Sequence, residues 1–262
     1  MVKDITITSV DSILVTNVTT GAYRFMLDEL ENVSIAQSEE KTDITGRQGR
    51  KLSSLKRNKS VTISGTNGLV SGGLLEMQTG SEFSNKAVDV MWTDYLTVTS
   101  NAAATKWKAI GTSGAEIKEL YIVTNGAADT ELTQDAQAAS GKFAYNPSTK
   151  ALTFSGITDG TEIVVVYKRR ITADVLENMS DKYSTKGSIY VDATGEDKCG
   201  NLYHVQFYFP KADFSGDFTL DMGDNQTVHA FEAEALAGAC GAGGSLWTYV
   251  VFGVNTGDTA VA

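Results

Sequence analysis

Apolar and polar residues alternate along most of this chain, with a period of two that is typical of β-strands buried on one face. Only two prolines occur among the 262 residues, whereas 25 glycines supply turn positions between strands. The alternation therefore predicts a fold dominated by β-structure. Its clearest apolar positions near the start are Ile5, Ile7, Val10, Ile13, Val15, Tyr23, Phe25, Leu27, Val33 and Ile35.

Further strands follow along the rest of the chain. They are predicted at residues 60–64, 187–193, 202–209, 217–222, 227–232 and 246–254. Pro210 is expected to end the strand at 202–209, because proline has no N–H to donate to a neighbouring strand. Between two short alternating runs, Asn146, Pro147 and Ser148 predict the turn of a hairpin.

One segment, residues 69–79, has the periodicity of a helix instead. Val70, Leu74 and Met77 recur at i, i+4 and i+7, which places them on one helical face. Asn67 or Ser71 is a candidate N-cap, and Gly80 occupies the position of a C-terminal cap. The sequence therefore predicts a single amphipathic helix that packs on a sheet.

Positive charge is concentrated between residues 41 and 59. This segment contains one acid, Asp43, and has a net charge of +6, so the rest of the chain carries −16 of the total of −10. Its basic residues are Lys41, Arg47, Arg50, Lys51, Lys56, Arg57 and Lys59. The segment is predicted to be a long loop, and long loops without secondary structure are usually functional. The negative remainder argues against general binding of nucleic acid and favours an acidic protein partner.

Several segments resemble the tail tube (major tail) proteins of long-tailed bacteriophages. The first is DITGRQGRKLSSLKRNKSVTISGTNGLVSGGLLEMQTG, residues 43–80. The closing part of the chain continues the likeness in HVQFYFPKADFSGDFTLDM, FEAEAL and LWTYVVFGV, in the same order as in that family. The resemblance implies a β-sandwich or half-barrel of two packed antiparallel sheets, flanked by the helix at 69–79.

The same resemblance implies a division of the chain and a function. Residues 1–100 and 172–262 would form a discontinuous tube domain, and residues 101–171 an inserted β-rich subdomain that faces outward. Subunits would close into hexameric rings and stack into a tube that conducts the genome. Its implied partners are further copies of itself, the tape-measure protein, the tail terminator and the tail tip proteins, in a virion tail assembled in the host cytoplasm.

Within that scheme, three groups of residues have predicted roles. The basic loop would contact the adjacent ring, because its charge complements an acidic copy of the same chain. Asp217 and Asp221 alternate with apolar residues, so they are candidates for a negative lumen that repels DNA phosphates. The helix with Val70, Leu74 and Met77 would brace the sheet.

Motifs for catalysis and metal binding are missing from the sequence. His204 and His229 lie in strand-like runs without a second ligand at metal spacing, and Cys199 and Cys240 are predicted to be free thiols. The glycine-rich run at 238–245 matches no phosphate-binding motif. We therefore expect no enzyme activity, cofactor or metal. Neither an export signal nor a membrane-spanning segment is predicted.

Two alternatives remain open from the sequence. The inner tube of a contractile particle, such as a phage-like bacteriocin or injection device, would use the same subunit fold. A carbohydrate- or receptor-binding β module is a different class of protein, for which Trp92, Trp107 and Trp247 would be stacking platforms.

Overall fold

The computed structural model describes residues 4–221, 228–237 and 244–253, and most of them lie in strands. The elements up to residue 104 are β1 (Ile5–Asn17), β2 (Tyr23–Leu27), β3 (Leu30–Thr45), β4 (Lys51–Asn67), α1 (Gly72–Thr79), β5 (Ser84–Thr97) and β6 (Ala102–Ala104). They continue with β7 (Ile117–Thr124), β8 (Ala127–Glu131), β9 (Thr133–Gln134), β10 (Lys142–Asn146), β11 (Ala151–Thr153) and β12 (Glu162–Val175). The last five are β13 (Lys186–Asp197), β14 (Leu202–Phe214), β15 (Leu220–Asp221), β16 (Val228–Ala235) and β17 (Thr248–Gly253). The predicted all-β class with a flanking helix is confirmed.

The chain divides into two compact units. The first unit combines residues 1–83 and 176–262, and the second comprises residues 84–175. The boundaries predicted at 101 and 171 differ from these, because β5 pairs with β12 from Ser84 to Thr97 and belongs to the second unit. That this unit is an insertion facing outward stays a prediction.

One antiparallel sheet organises the first unit, in the order β2-β1-β13-β14-β16-β4-β3, with β15 on β16 and β17 on β14. The rings of Phe25 on β2 and Phe214 on β14 are 6.3 Å apart, although β1 and β13 lie between those strands. The sheet therefore curves over its own core. The buried core includes Ile13, Val15, Val61, Ile63, Ile189, Val191, Phe209 and Phe231.

Pro210 does not end its strand, contrary to the prediction. Strand β14 continues to Phe214, and the register with β13 shifts between Gly187 and Ile189, opposite the proline. This bulge accommodates the missing N–H, while the hydroxyl of Ser188 donates to the Pro210 carbonyl at 2.8 Å. Beyond the bulge, β14 changes its neighbour from β17 to β16.

Helix α1 covers the core of the first unit. Leu74 and Met77 are buried as predicted, but Val70 precedes the helix and is 46% exposed, so its assignment to the helical face was wrong. Ser71 is the N-cap and accepts a hydrogen bond from the Leu74 N–H, which shifts the helix start to Gly72. A Cβ on Gly73 would lie 2.4 Å from Phe25 Cβ, so glycine permits the close approach of helix and sheet.

Two small sheets form the second unit, in the orders β5-β12-β7-β8 and β6-β11-β10-β9. The predicted hairpin is confirmed, because β10 and β11 pair antiparallel around the turn after Asn146. The core of this unit contains Leu120, Phe143, Leu152, Ile163, Val165 and Tyr167. Each unit thus has its own hydrophobic core.

Candidate functional site

The basic segment is a β-hairpin and not the predicted structureless loop. Strands β3 and β4 pair antiparallel from Leu30 and Asn67 to Thr45 and Lys51. A short 3-10 turn at Arg47–Gly49 connects them, with Gln48 at φ 63° and Gly49 at φ 74°. The prediction failed because Ile44, Leu52 and Leu55 stand among charged and hydroxyl residues in this ribbon, without the regular apolar alternation that marks a half-buried strand.

A bulge separates this part of the hairpin from the body of the sheet. The register of β3 and β4 shifts between Ser38 and Glu40, and Asn58 adopts φ 52° while its amide donates to Glu40 Oε2 at 2.7 Å. Below the bulge, Val61 and Ile63 are fully buried. Residues 41–59, which we call the basic arm, therefore extend past the core, and the bulge sets their direction.

All seven basic side chains of the arm are exposed. Lys51 pairs with Asp43 at 2.7 Å, and Lys56 with Glu39 at 2.6 Å. The Lys56 ammonium holds the pKa of the Glu39 carboxyl below its usual value, chiefly through their hydrogen bond. The other five, Lys41, Arg47, Arg50, Arg57 and Lys59, have no ion pair among the residues that the structure describes.

Apolar side chains accompany these charges on the arm. Leu52 is 66% exposed, and Ile44 and Leu55 are also exposed. Exposed leucines beside unpaired cations are typical of a surface that another molecule covers, because burying the apolar side chains gains free energy and the cations can pair with acids of the partner. The arm can therefore offer both apolar and cationic contacts to an acidic partner.

One face of the sheet in the first unit is acidic. On β16, Glu232 lies opposite Ser64 of β4, which lies opposite Ser34 of β3. Glu234, two residues further along β16, lies between Thr62 of β4 and Asp213 of β14. Directly opposed residues of antiparallel strands share a face, so these side chains point away from the core.

Asp217 and Asp221 belong to the same face. Both are exposed, whereas Phe218 and Leu220 between them are half-buried, as the predicted alternation requires. Only Leu220–Asp221 is a strand, and Leu220 lies opposite the core residue His229. We call the set of Asp213, Asp217, Asp221, Glu232 and Glu234 the acidic face.

The surface of the acidic face is concave. A groove of about 760 Å³ runs across it, between Asp217 and Thr219 on one side and β4 and β3 on the other. Hydroxyl and carboxylate side chains from Ser34, Ser64, Thr66, Asp217, Thr219 and Glu232 line it. Lys186 pairs with Asp213 at 3.4 Å, and Lys211 precedes Asp213 by two residues on β14.

Sequence reasoning missed Asp213, Glu232 and Glu234. The signal was present in FEAEA, where Phe231, Ala233 and Ala235 are buried and the two glutamates between them are exposed. The same parity that identified Asp217 and Asp221 would have identified this pair.

A buried histidine fastens helix α1 to the strand that carries the two glutamates. His229 on β16 is fully buried; its Nδ1 accepts from the Ser71 N–H at 3.3 Å, and its Nε2 lies 2.8 Å from Gln78 Oε1. The Gln78 amide in turn donates to the Ala230 carbonyl at 3.0 Å. These partners require a neutral ring protonated on Nε2, and burial lowers the pKa of His229.

The tryptophans are divided between the units, with Trp92 and Trp107 in the second and Trp247 in the first. Arg169 lies over the rings of Trp92 and Trp107, with its guanidinium carbon 4.7 and 4.2 Å from their centroids. Trp247 packs beside Phe207 at the edge of the first unit's core, and its indole N–H donates a hydrogen bond to Gln37 Oε1. Their ring faces are thus engaged by residues of this chain.

Across residues 4–221, 228–237 and 244–253, His, Cys, Asp and Glu side chains form no group of three suited to a metal ion. No helix in that part of the chain is long and apolar enough to cross a membrane. Cys199 is a free, exposed thiol, while Cys240 and most of the glycine-rich run at 238–245 lie outside the described residues.

Comparison with known proteins assigns the chain to a family. No curated protein matches it. The model of the YomU/Tube protein family matches residues 5–250, which include the basic arm, the acidic face and the second unit. The resemblance to phage tail tube proteins is thereby confirmed, and with it a structural role in the virion tail. The chain belongs to the YomU/Tube protein family.

Proposed function

We propose that this chain is the subunit of a phage tail tube, that it closes into hexameric rings, and that stacked rings form the channel through which the genome passes. The concave acidic face carries this proposal. It combines five carboxylates with a lining of hydroxyl groups on one side of a sheet whose other side is the core. Such a surface suits the wall of a channel for DNA.

Electrostatics explains why an acidic wall fits that role. DNA carries one negative charge per ~1.7 Å of its axis, and proteins bind it by neutralising phosphates with cations. Carboxylates at Asp217, Glu232 and Glu234 instead repel the phosphates, so DNA slides past without being retained. The hydroxyl groups keep the wall hydrated between the charges.

Ring closure would use the free edges of the sheet. Strands β2 and β3 end the sheet order, and their outer backbone groups have no strand partner among the described residues. Exposed edges favour aggregation unless they are paired or covered. Pairing between neighbouring subunits satisfies these groups and joins the sheets of a ring into one barrel.

The basic arm would connect one ring to the next. Its five cations without an ion pair complement the acidic remainder of an identical subunit, and a head-to-tail contact of this kind generates an open filament. Tape-measure, terminator and tip proteins are the partners that such a tube requires. Assembly in the host cytoplasm is consistent with the free thiol at Cys199.

The arm is tested by comparing two sets of substitutions. Arg47→Ser, Arg50→Ser and Arg57→Ser remove cations that lack an ion pair, whereas Lys51→Ser with Lys56→Ser removes cations already paired within the chain. We expect the first variant to stop at rings and the second to form tubes, as counted by negative-stain electron microscopy. Tubes of normal length from the triple variant would refute this role.

The wall is tested with DNA. Glu232→Lys with Glu234→Lys should leave tubes intact but make them retain double-stranded DNA at low salt, with binding lost as salt rises. Asp129→Lys with Asp181→Lys changes the net charge equally at exposed positions off the acidic face and serves as the control. Equal retention by both variants would show that the acidic face does not line the channel.

A further inference from the structure

A second groove lies on the sheet β5-β12-β7-β8 of the second unit. Its volume is about 500 Å³. Leu96, Ile122 and Ile163 point from this sheet into the core, so the alternate residues face the groove. The side chains that line it on this face are Tyr95, Thr97, Val123, Ala128, Glu162 and Val164.

A continuous row of side chains crosses all four strands at one end of the groove. Tyr95 lies opposite Val164, Val164 lies opposite Tyr121, and Tyr121 lies opposite Glu131. The two tyrosines are thus two strands apart, with backbones about 10 Å from each other. That spacing is roughly the span of two linked sugar rings.

Tyr95 is 80% exposed, although its strand pairs with β12 along its whole length. A large aromatic ring left in water on a sheet face is informative, because burying it would gain free energy. Val164 is half-buried beside it and supplies an apolar floor. An aromatic wall over an apolar floor suits a flat ligand with an apolar face.

Carboxylates surround this row. Glu162 lies opposite Thr97 and lines the groove, Glu131 ends the row, and Glu119 precedes Tyr121 by two residues. Glu131, with burial and Glu119, raises the pKa of the Tyr121 phenol, which places negative charge near that ring. Carboxylates accept hydrogen bonds from hydroxyl groups and repel anions.

We propose that this tyrosine groove, the six lining residues with Tyr121 and Glu131, binds a neutral oligosaccharide. The apolar C–H faces of two sugar rings would stack on Tyr95 and Tyr121, and sugar hydroxyls would donate to Glu162 and Glu131. The same carboxylates select against acidic sugars and nucleic acid. The site is independent of the tube proposal, because the basic arm and the acidic face belong to the first unit.

Binding is tested on the full chain with defined sugars. The probes are chitohexaose, cellohexaose and mannohexaose, with an oligogalacturonate of equal length as the acidic sugar and hexalysine as a cationic peptide. Isothermal titration and saturation-transfer NMR should detect at least one neutral hexasaccharide, and Tyr95→Ala should weaken it by about tenfold or more. Tyr183→Ala is the matched control, since that ring is also 80% exposed but lies in the first unit.

Four results would overturn the proposal. The first two are no binding of any neutral probe, and binding of the oligogalacturonate that is tighter than that of the neutral sugars. The other two are Tyr95-dependent binding of hexalysine alone, and an equal loss of sugar affinity in both tyrosine variants. Unchanged circular dichroism spectra would verify that each variant is folded. Glu162→Gln should weaken the neutral sugar and reduce the discrimination against oligogalacturonate, which an unspecific aromatic contact would not do.

Discussion

Replacing His229 with leucine tests whether one buried ring fastens helix α1 to the sheet. The ring accepts from the Ser71 N–H and lies 2.8 Å from Gln78 Oε1, inside a fully buried environment. Leucine has similar volume but leaves both groups without a partner. Each unsatisfied buried group costs about 1–3 kcal/mol, so the free energy of unfolding should fall by about 2–6 kcal/mol.

The measurement must separate the two units. Hydrogen exchange followed by mass spectrometry as a function of urea gives the unfolding free energy of α1 and β16 apart from that of residues 84–175. His204→Leu is the control, because His204 is half-buried and lies 5.5 Å from the Phe252 ring, with no comparable network among the described residues. Surface substitutions away from such networks usually change stability by less than ~0.5 kcal/mol.

A double variant distinguishes a hydrogen bond from simple packing. Gln78→Leu removes the second partner, and replacing both members of a buried pair by apolar groups costs less than the two single changes together. We expect a coupling of about 0.5–3 kcal/mol between the two positions. Strict additivity, or a His229→Leu protein as stable as the parent, would contradict the proposed network.

The same residue gives the stability a pH dependence. Burial lowers the pKa of His229 in the folded state below the unfolded value of 6.5, so between these pKa values the unfolded chain binds the extra proton. The stabilisation is therefore complete above pH 6.5 and is lost as pH falls through the folded pKa. His229→Leu should flatten this slope, as measured by the same exchange experiment in buffers of decreasing pH.

Three further substitutions have worked expectations. Gly73→Ala should destabilise the first unit by about 1–3 kcal/mol through its clash with Phe25, whereas Gly68→Ala, which meets no atom closer than 3.6 Å, should not; urea denaturation compares them. Asp197 has its pKa lowered to about 2 by hydrogen bonds, so its stabilisation is present above pH 3.8 and lost toward pH 2, and Asp197→Asn should remove that acid-dependent slope. Tyr167→Phe removes a buried hydroxyl with two partners and should lower the melting temperature, at a cost of about 1–3 kcal/mol.

Local patterns predicted most of the elements but not their extent. Leu74 and Met77 were assigned to the core because their spacing is helical, and the caps follow from the hydroxyl of Ser71 and from the left-handed backbone that Gly80 can adopt. The start of α1 depended on which of two candidate caps the backbone uses, and this choice moved Val70 outside the helix. Pro210 was misjudged because a bulge opposite a proline is a property of the paired strand, which the local sequence does not contain.

The candidate site was predicted in part for the same reason. The charge of the basic arm was visible in the sequence, but its conformation depends on pairing across 22 residues from Ser38 to Ser60 and on a bulge at Asn58. The acidic face was found at Asp217 and Asp221 by parity alone. The same parity would also have identified Glu232 and Glu234, whereas Asp213 joins the acidic face through the pairing of β14 with β16.

Strand β16 links the stability of the first unit to the proposed channel wall. Its odd-numbered residues, His229 to Ala235, enter the core or hold the helix, and its even-numbered residues Glu232 and Glu234 lie on the acidic face. A slip of one residue would exchange the two sets, which the buried Phe231 and the His229 network strongly disfavour. Phe231 and the His229 network therefore fix the orientation of the two glutamates from the other face of β16. Replacing the glutamates should alter the interaction with DNA, while the free energy of unfolding changes by less than ~0.5 kcal/mol.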